Sequence, residues 1–291
     1  MSADERWTEA APAKVNLALH VTGRRADGYH ELESLVVFVG VADELVARRA
    51  PEDRLNVTGP FASAAGTGDA NLVSRAVAAF RARWPDHVQH GLAIDLHKNL
   101  PVAAGLGGGS ADAAAALRLM AQLSDRPVEM AELSALALML GADVPVCLAS
   151  RPAEVRGIGE IVHGLPQFPE LHLVLVNPLK PVVTADVFRR LTQRSNPSLP
   201  ALPSPLTRPV QLGIWLEGTR NDLEETATGL VPEIGEVVAA MRETDGSVLA
   251  RMSGSGATVF GIFGSATRAH QVAHDMRFLW PDWWVAAAPV L

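Results

Sequence analysis

A glycine-rich loop that runs directly into an alanine-rich segment constrains this chain more than any other feature. Residues 100–112 read LPVAAGLGGGSAD, and alanine then dominates up to Leu123. Glycines let a backbone approach a ligand closely and point successive N–H groups into one concavity. We predict that Ser110 is the N-cap of a helix over 111–123, because a serine side chain accepts the unpaired N–H groups of a first turn. A loop of this kind at a helix N-terminus favours anions, so the sequence indicates a phosphate site.

This loop differs from two familiar phosphate loops. No Lys-Ser or Lys-Thr follows at the spacing of a Walker A motif, and Ser110 stands where the dinucleotide-binding fingerprint has its third glycine. The preceding segment, 91–98, alternates apolar and other residues and is predicted to be a strand. The unit is therefore a strand, a glycine loop and a helix. The alternative that the residues leave open is a flexible glycine turn.

Composition excludes several classes of protein. The chain has 291 residues, enough for one large or two ordinary domains, and its 48% hydrophobic and 20% charged residues are typical of a globular protein. A net charge of −7 argues against a nucleic-acid binder, which needs a basic face. No apolar run approaches the ~18 residues of a membrane span, and the charged segment 1–6 does not resemble a secretory leader. Because Cys147 is the single cysteine, we expect a buried thiol and a cytoplasmic location.

Two polar residues share one face of the first predicted strand, 13–21. The strand period of two puts Lys14 and Asn16 side by side, opposite a row of apolar residues. Two alternatives remain for this pair, which are a functional role and a solvated strand edge. Asp143 raises a similar question, because it lies in a short apolar segment where burial and a nearby cation would compete to set its pKa. It is either functional or a structural cap or buried carboxylate.

Tyr29, the only tyrosine, stands beside His30 in a polar loop that follows a turn signal at Asp27-Gly28. An aromatic ring next to an imidazole could stack on a heterocycle and bond to it, or the two could merely anchor the loop.

The remaining elements follow from periodicity and from breaker residues. We predict a proline-rich loop over 195–209 that is either ordered by contacts or mobile, and a second glycine turn at 253–257. The predicted helices cover 71–83, 129–139, 211–229, 231–243 and 266–279, and further strands cover 35–39, 171–176 and 283–288.

Three segments taken together resemble the GHMP family of small-molecule kinases. They are Pro12–Leu17 (PAKVNL), Gly23–His30 (GRRADGYH) and Pro101–Ser110. The later segments LGADVP at 140–145 and SGSGA at 253–257 also match the family's motifs, in the same order. The resemblance extends from about Ala11 to Phe263. The GRRADGYH loop is the most specific element, since it separates a branch with a cytosine-bearing substrate from the rest of the family.

The resemblance implies an α/β (α+β) protein of two domains. An N-terminal ATP-binding domain over 1–160 would be like the second domain of ribosomal protein S5, and a C-terminal domain over 161–291 would be ferredoxin-like. The implied enzyme uses ATP and Mg²⁺ to phosphorylate the tertiary C2 hydroxyl of a cytidine-diphosphate-linked methylerythritol, in the non-mevalonate route to isoprenoid precursors. It would be a monomer or a homodimer, with no nucleic-acid or membrane partner.

The resemblance also implies roles for single residues. Asp143 would be the catalytic base and Lys14 its partner, which keeps the aspartate ionised and lowers the effective pKa of the substrate hydroxyl. Substrate contacts would come from Asn16, Tyr29, His30, Thr184 and Phe188, with Tyr29 and Phe188 on either side of the cytosine and His30 at its hydrogen-bonding edge. ATP contacts would come from Asn71, Lys98, Pro101, Val102, Ala103, Ala104, Gly105, Leu106, Gly107, Gly108, Gly109, Ser110 and Ala111, with Asn71 and Lys98 near the adenine.

Two departures from the family pattern concern the loop. Ala103 and Ala104 stand where glycine is common, and Ala111 stands where a second serine is frequent. Other readings are a GHMP kinase for a mevalonate derivative or homoserine, or a catalytically silent nucleotide-binding member. The Tyr29-His30 pair argues against the former, because those substrates have no cytosine to stack. The presence of both Lys14 and Asp143 argues against the latter.

Overall fold

The computed structural model describes residues 5–291. The expectation that the chain lacks a secretory leader is drawn from residues 1–6, and the first four of these lie outside the described residues. The chain forms two compact units, each built from several segments. Unit 1 comprises the described residues up to Ala13, Ala42–Val102 and Gly107–Ser150, and unit 2 comprises Lys14–Val41, Ala103–Leu106 and Arg151–Leu291.

The sheet of unit 1 has the order β3-β4-β2. Strands β1 (Arg6–Arg24) and β2 (His30–Ala50) contribute residues to both units, and the second half of β2 belongs to this sheet. It pairs antiparallel with β4 (Gly91–His97), from Glu44 opposite His97 to Ala50 opposite Gly91, and β3 (Arg54–Thr58) runs parallel to β4. The alternation that predicts a strand over 91–98 is therefore confirmed.

Four helices complete the described part of unit 1, and the second of them is almost wholly buried. They are α1 (Leu72–Arg83), α2 (Gly108–Gln122), α3 (Met130–Leu140) and α4 (Val144–Ala149). Helix α2 packs against α1 and α4, and each residue of 111–117 is buried. Because alanine side chains are small, the neighbouring helices can pack closely against α2. The alanine-rich run thus makes α2 the central helix of the unit.

Unit 2 contains a hairpin and a four-stranded antiparallel sheet. The hairpin strands β5 (Ala153–Gly157) and β6 (Ile161–Gly164) extend the first half of β2, with Leu32 opposite Gly157. The second sheet has the order β10-β7-β9-β8, from β7 (His172–Asn177), β8 (Ser247–Met252), β9 (Val259–Phe263) and β10 (Trp284–Pro289).

The helices of unit 2 give its second sheet a recognisable topology. They are α5 (Thr184–Arg190), α6 (Pro209–Glu217), α7 (Glu224–Leu230), α8 (Glu233–Glu243) and α9 (Ala266–Leu279). Helix α8 packs on β8 and β9, and α9 packs on β10 and β7. The chain order β7-α8-β8-β9-α9-β10 with this strand order is ferredoxin-like, so the predicted mixed α/β class and the ferredoxin-like part are confirmed. Within residues 5–291, none of the helices combines the length and apolarity that crossing a bilayer requires.

Two helix predictions are wrong at identifiable residues. Helix α2 begins at Gly108 rather than after Ser110, because Gly107 at φ +62° turns the chain into the helix as its N-cap. The helix predicted over 211–229 is divided into α6 and α7. In the break, the Thr219 hydroxyl donates to the carbonyl oxygen of Leu216 at 2.8 Å and Asn221 Oδ1 accepts the N–H of Leu223 at 3.0 Å. Such side-chain bonds compete with helical ones.

The proline-rich segment over 195–209 is held by hydrogen bonds to its neighbours, as the first of its two alternatives predicts. The N–H of Asn196 donates to the carbonyl oxygen of Val21 at 3.0 Å, and the N–H of Leu199 donates to Glu33 Oε2 at 2.8 Å. The indole N–H of Trp215 donates to the carbonyl oxygen of Ala201 at 3.1 Å.

A buried arginine ties α6 to β1 within unit 2. The Arg251 guanidinium, on β8, donates to the carbonyl oxygens of Leu17 at 2.7 Å, Leu216 at 3.1 Å and Thr219 at 2.8 Å, and to the Thr219 hydroxyl at 3.0 Å. Burial lowers the pKa of Arg251 to about 10, which still leaves it charged at neutral pH. Carbonyls at the C-terminal end of α6 favour a cation, so the helix dipole offsets part of its desolvation.

We expect Arg251→Lys to lower the free energy of unfolding by about 2–4 kcal/mol, because an ammonium group cannot reproduce the planar fork and charged hydrogen bonds are worth about 1.5–3 kcal/mol each. Urea denaturation measures the change. Arg242→Lys, at an exposed arginine on α8, is the matched control. Equal unfolding midpoints for the two variants would contradict the structural role of Arg251.

Candidate functional site

Three residues of the glycine loop have left-handed backbone conformations. They are Ala103 at φ +52°, Gly105 at φ +74° and Gly107 at φ +62°. The left-handed region costs an L-residue roughly 1 kcal/mol, and Ala103 stands at one of the two positions where the GHMP family commonly has glycine. Alanine in place of glycine at position 103 therefore costs conformational free energy, which the rest of the fold offsets.

The start of α2 offers unpaired backbone donors. The first intrahelical bond runs from the N–H of Ala111 to the carbonyl oxygen of Gly107 at 2.8 Å, so the N–H groups of Gly108, Gly109 and Ser110 have no intrahelical acceptor. No side chain caps this end. Gly109 is exposed, whereas Ala111 is buried and its N–H is already used. The predicted phosphate donors are thus available at residues 108–110 but not at Ala111.

The second glycine turn packs directly on the first loop within unit 2. A Cβ atom at Gly105 would overlap the carbonyl oxygen of Ser253 and lie 2.9 Å from the backbone nitrogen of Gly256. The Ser253 hydroxyl donates to the carbonyl oxygen of Gly105 at 2.8 Å, and the N–H of Thr258 donates to that of Ala104 at 3.1 Å. Sequence reasoning gave this turn no site residue, although the repeated Ser-Gly pattern over 253–256 was its signal.

Lys14 and Asn16 lie side by side on β1, as the strand period predicts, but they are not on a solvated edge. Lys14 is only 5% exposed, and its ammonium donates to Asn16 Oδ1 at 3.2 Å. The Asn16 side-chain amide donates to the Ser34 hydroxyl at 2.7 Å, and its backbone N–H donates to the Ser253 hydroxyl at 3.1 Å. Both faces of the strand are buried over 11–21, so the edge alternative is wrong.

Asp143 occupies the N-cap position of α4 in unit 1 without capping it. Its carboxylate accepts no hydrogen bond from the first turn, and its side chain is half-buried. Pro145 follows at the start of the helix, where its missing N–H costs nothing. The alternative that the carboxylate is a helix cap is therefore wrong.

Asn71 and Lys98, both in unit 1, use their side chains within the fold. Asn71 caps α1 by accepting the N–H of Val73 at 2.9 Å, and its amide donates to the carbonyl oxygens of Ala65 and Gly66, each at 3.2 Å. Lys98 is 2% exposed, and its ammonium contacts two buried carboxylates, described below. Sequence reasoning did not identify these partners.

A pocket of about 600 Å³ in unit 2 brings four predicted substrate residues together. Tyr29, His30, Thr184 and Phe188 line it, with Arg24, Arg189 and Arg194. The rings of His30 and Phe188 stack with centroids 5.0 Å apart and an interplanar angle of 25°, whereas Tyr29 is 62% exposed. The turn that carries Tyr29 has Gly28 at φ +93°, as the Asp-Gly signal predicts. Asn16 does not line this pocket.

His30 is held neutral in the pocket. Burial lowers its pKa, and the charges of Arg24 and Arg194 lower it further. Its Nε2 atom is buried and has no hydrogen-bond partner among the described residues. A neutral imidazole offers one donor and one acceptor, so this atom is able to bind a polar ligand edge.

Two arginines and a hydroxyl pair extend the polar lining beyond what the sequence identified. Arg24 and Arg194 donate to the carbonyl oxygens of Gly28 at 3.3 Å and Leu191 at 2.9 Å, and neither has a carboxylate partner within the described chain. The Thr184 hydroxyl lies 2.8 Å from that of Ser255. The pocket thus combines stacked rings, an unpartnered imidazole nitrogen and cations, which suits a planar ligand with an anionic substituent.

Known proteins resemble this chain over nearly its whole length. Residues 71–151 match the family described as GHMP kinases N terminal domain, and residues 204–282 match GHMP kinases C terminal. The 4-diphosphocytidyl-2-C-methyl-D-erythritol kinase of Agrobacterium fabrum is 48% identical, over 96% of this chain and 94% of its own length. The kinase of the same name from Paracoccus denitrificans is 48% identical, over 96% of this chain and 95% of its own length.

Solved structures agree in fold. A crystal structure of 4-(cytidine 5'-diphospho)-2C-methyl-D-erythritol kinase matches with a TM-score of 0.79 at 36% identity, and the match covers 98% of this chain and 99% of that one. The structure of homoserine kinase from Cytophaga hutchinsonii matches with a TM-score of 0.71 at 19% identity, covering 100% and 96%. The latter likeness concerns the fold alone.

We expect Gly105→Ala to lower the free energy of unfolding by at least about 2 kcal/mol. The new methyl group would meet the Ser253 carbonyl, and alanine would be forced to φ +74°. Thermal unfolding compares it with Gly264→Ala, where an added Cβ meets no atom within 4 Å. If both variants unfold at the same temperature, the two glycine turns do not constrain each other as described.

Proposed function

Because the chain belongs to the GHMP kinase family, we propose that it transfers the γ-phosphoryl group of ATP to a hydroxyl of 4-diphosphocytidyl-2-C-methyl-D-erythritol. The pocket of unit 2 carries this proposal, since its rings, its unpartnered imidazole nitrogen and its arginines match a cytidine diphosphate. The relatives at 48% identity support the same substrate through their names.

The cytosine base of the substrate would both stack on aromatic rings and form hydrogen bonds in this pocket. An exposed Tyr29 ring and the face of Phe188 offer stacking surfaces for cytosine, and base–aromatic stacking is worth about 1–3 kcal/mol. The Nε2 atom of neutral His30 would bond to the Watson–Crick edge, where cytosine presents both donor and acceptor atoms. Thr184 would bond to the same ligand beside Phe188.

The diphosphate of the substrate explains the cations of the pocket. Arg24 and Arg194 have no carboxylate partner among the described residues, and an arginine fork matches phosphate oxygens in geometry as well as charge. Arg189 differs, because it forms an ion pair with Asp186 on the same helix. We therefore assign the diphosphate contacts to Arg24 and Arg194 first.

ATP would bind through the glycine loop, residues 101–111, with the free N–H groups at the start of α2 as phosphate donors. No group of three metal-ligating side chains lies within residues 5–291. Mg²⁺ on ATP is held largely by phosphate and water oxygens, so we propose that it arrives with the nucleotide and neutralises developing charge there. Asn71 would lie near the adenine.

Asp143 would act as the general base and Lys14 as its cationic partner. The Asp143 carboxylate takes the proton of the substrate hydroxyl while that oxygen bonds to the γ-phosphorus and ADP leaves. The charge of Lys14 would stabilise the developing alkoxide. The burial of Lys14 beside Asn16 and the half-buried position of Asp143 at the start of α4 support these roles. Asn16 would orient Lys14 and touch the substrate.

We also propose that the evolutionary domains divide between residues 160 and 161. The two family matches, at 71–151 and 204–282, lie on either side of this boundary and support it.

The experiment that tests the proposal measures ADP release from Mg·ATP with 4-diphosphocytidyl-2-C-methyl-D-erythritol, beside mevalonate, phosphomevalonate and homoserine. We expect turnover with the cytidine compound alone. Phe188→Ala should raise the KM for that substrate about 10-fold or more through lost stacking, and leave the KM for ATP unchanged. Phe278→Ala, on the exposed face of α9, is the control. Turnover with another acceptor only would exclude the cytidine pocket.

We expect Asp143→Asn to lower kcat by about 10²–10⁴ and to leave the affinity for ATP nearly unchanged, because an amide keeps the shape of the carboxylate but cannot take the proton. Steady-state kinetics and nucleotide titration measure the two quantities. Asp275→Asn, at an exposed position of α9, controls for the substitution itself. A kcat near that of the native enzyme would remove Asp143 from the role of base.

A further inference from the structure

The side chain of Lys98 is buried and forms ion pairs with two carboxylates of unit 1. Its ammonium donates to Asp112 Oδ2 at 2.6 Å and to Asp43 Oδ2, and all three side chains are at most 5% exposed. Burial tends to lower the pKa of Lys98, but the carboxylates of Asp112 and Asp43 outweigh it and raise that pKa. Buried carboxylates therefore use two of the three N–H donors of Lys98, and the enclosed ammonium is not presented to a nucleotide base.

The two carboxylates connect Lys98 to the segments around the phosphate loop. Asp43, on β2, accepts the N–H groups of Asn99 at 2.6 Å and Leu100 at 2.9 Å with its second oxygen. Asp112 is the fifth residue of α2. A Cβ atom at Gly108, the first residue of that helix, would lie 3.6 Å from Lys98 Nζ and 3.7 Å from Asp43 Oδ2. The first turn of α2 therefore rests on this charged cluster.

Asp112 leaves the cluster with one oxygen unused. Its Oδ1 atom is buried and has no hydrogen-bond partner among the described residues. Burial raises the pKa of Asp112 to about 7, Lys98 opposes the rise and Asp43 adds to it. The other charged side chains on the helices around Asp112 form ion pairs with different residues. Arg81 pairs with Asp53, Arg83 with Glu132, and Arg118 of α2 with Glu9. Arg75 is exposed, and the titratable residue that α4 contributes is the buried Cys147.

We propose that Lys98, Asp43 and Asp112 are positioning residues that fix the first turn of α2 against the end of β4, so that Lys98 acts on ATP through the backbone donors of residues 108–110. The proposal rests on the proposed function, since it assumes that the triphosphate binds at this helix terminus. It replaces the expectation that Lys98 contacts adenine.

The first test measures binding of Mg·ATP, Mg·GTP and inorganic tripolyphosphate to the full chain. A positioning residue affects the phosphate site, so Lys98→Met should weaken all three ligands by the same factor, about tenfold or more and equal within about twofold. A residue on the base would change the preference for ATP over GTP and leave tripolyphosphate unaffected. Lys180→Met, at an exposed lysine, is the matched control.

The second test uses Asp112→Asn, which keeps the shape of the side chain and guards against a misfolded Lys98 variant. Because the pKa of Asp112 is raised to about 7, its carboxylate forms an ion pair with Lys98 chiefly above pH 7, whereas asparagine carries no charge at either pH. The ratio of ATP affinities, variant to native, should be near one at pH 6 and fall to about 0.1–0.3 at pH 8, where only the native side chain holds the first turn through a charged bond to Lys98. Taking the ratio cancels the titration of ATP itself. Asp95→Asn, at the surface pair with Arg48, should give a flat ratio.

The outcomes separate the two proposals. A flat or rising ratio for Asp112→Asn, or a changed preference between ATP and GTP in Lys98→Met, overturns the positioning role while ATP binding by the native chain persists. Failure of the native chain to bind either nucleotide or tripolyphosphate overturns the proposed function instead.

Discussion

The approach of the Gly105 backbone to the turn at 253–256 is the constraint on which the rest of unit 2 depends. There is no room for a side chain between them, so the two segments hold each other through the Ser253 hydroxyl and backbone contacts. The same hydroxyl accepts the N–H of Asn16, and Asn221 donates to the carbonyl oxygens of Met252 and Gly254, each at 2.8 Å. A substitution at any of these residues is therefore expected to disturb β1, the strand that carries Lys14.

Buried cations stabilise the two units in different ways. In unit 1, Lys98 is paired with Asp43 and Asp112, and burial raises the pKa of Asp112 to about 7. In unit 2, Arg251 is bonded to carbonyls and a hydroxyl instead, and the end of a helix supplies part of the compensation. The first arrangement responds to pH near neutrality and the second does not. The difference arises because a buried carboxyl group, whose pKa is raised by desolvation, takes part only in the first arrangement.

Local signals predicted much of the fold, and the resemblance to GHMP kinases indicated four residues of the pocket, namely Tyr29, His30, Thr184 and Phe188. Periodicity and caps located α1, α3, α8 and α9, because each has a contiguous apolar face and recognisable ends. The short strands β3, β5 and β6 were missed, because each is only four or five residues long and because β3 and β5 pair with strands far away in sequence. The break between α6 and α7 depends on side-chain hydrogen bonds that no helical period reveals. The partners of Lys98 were hidden for a similar reason: Asp43 is 55 residues away.

The single tyrosine of the chain offers a site-specific spectroscopic probe of the pocket in unit 2. Tyr29 is the only residue of its kind among 291, it lines the pocket, and its ring is largely in solvent. Biosynthetic replacement of tyrosine by 3-fluorotyrosine would therefore place one fluorine nucleus in the whole molecule. Its resonance would report occupancy of this pocket directly, without contributions from the nucleotide loop or from any other part of the protein.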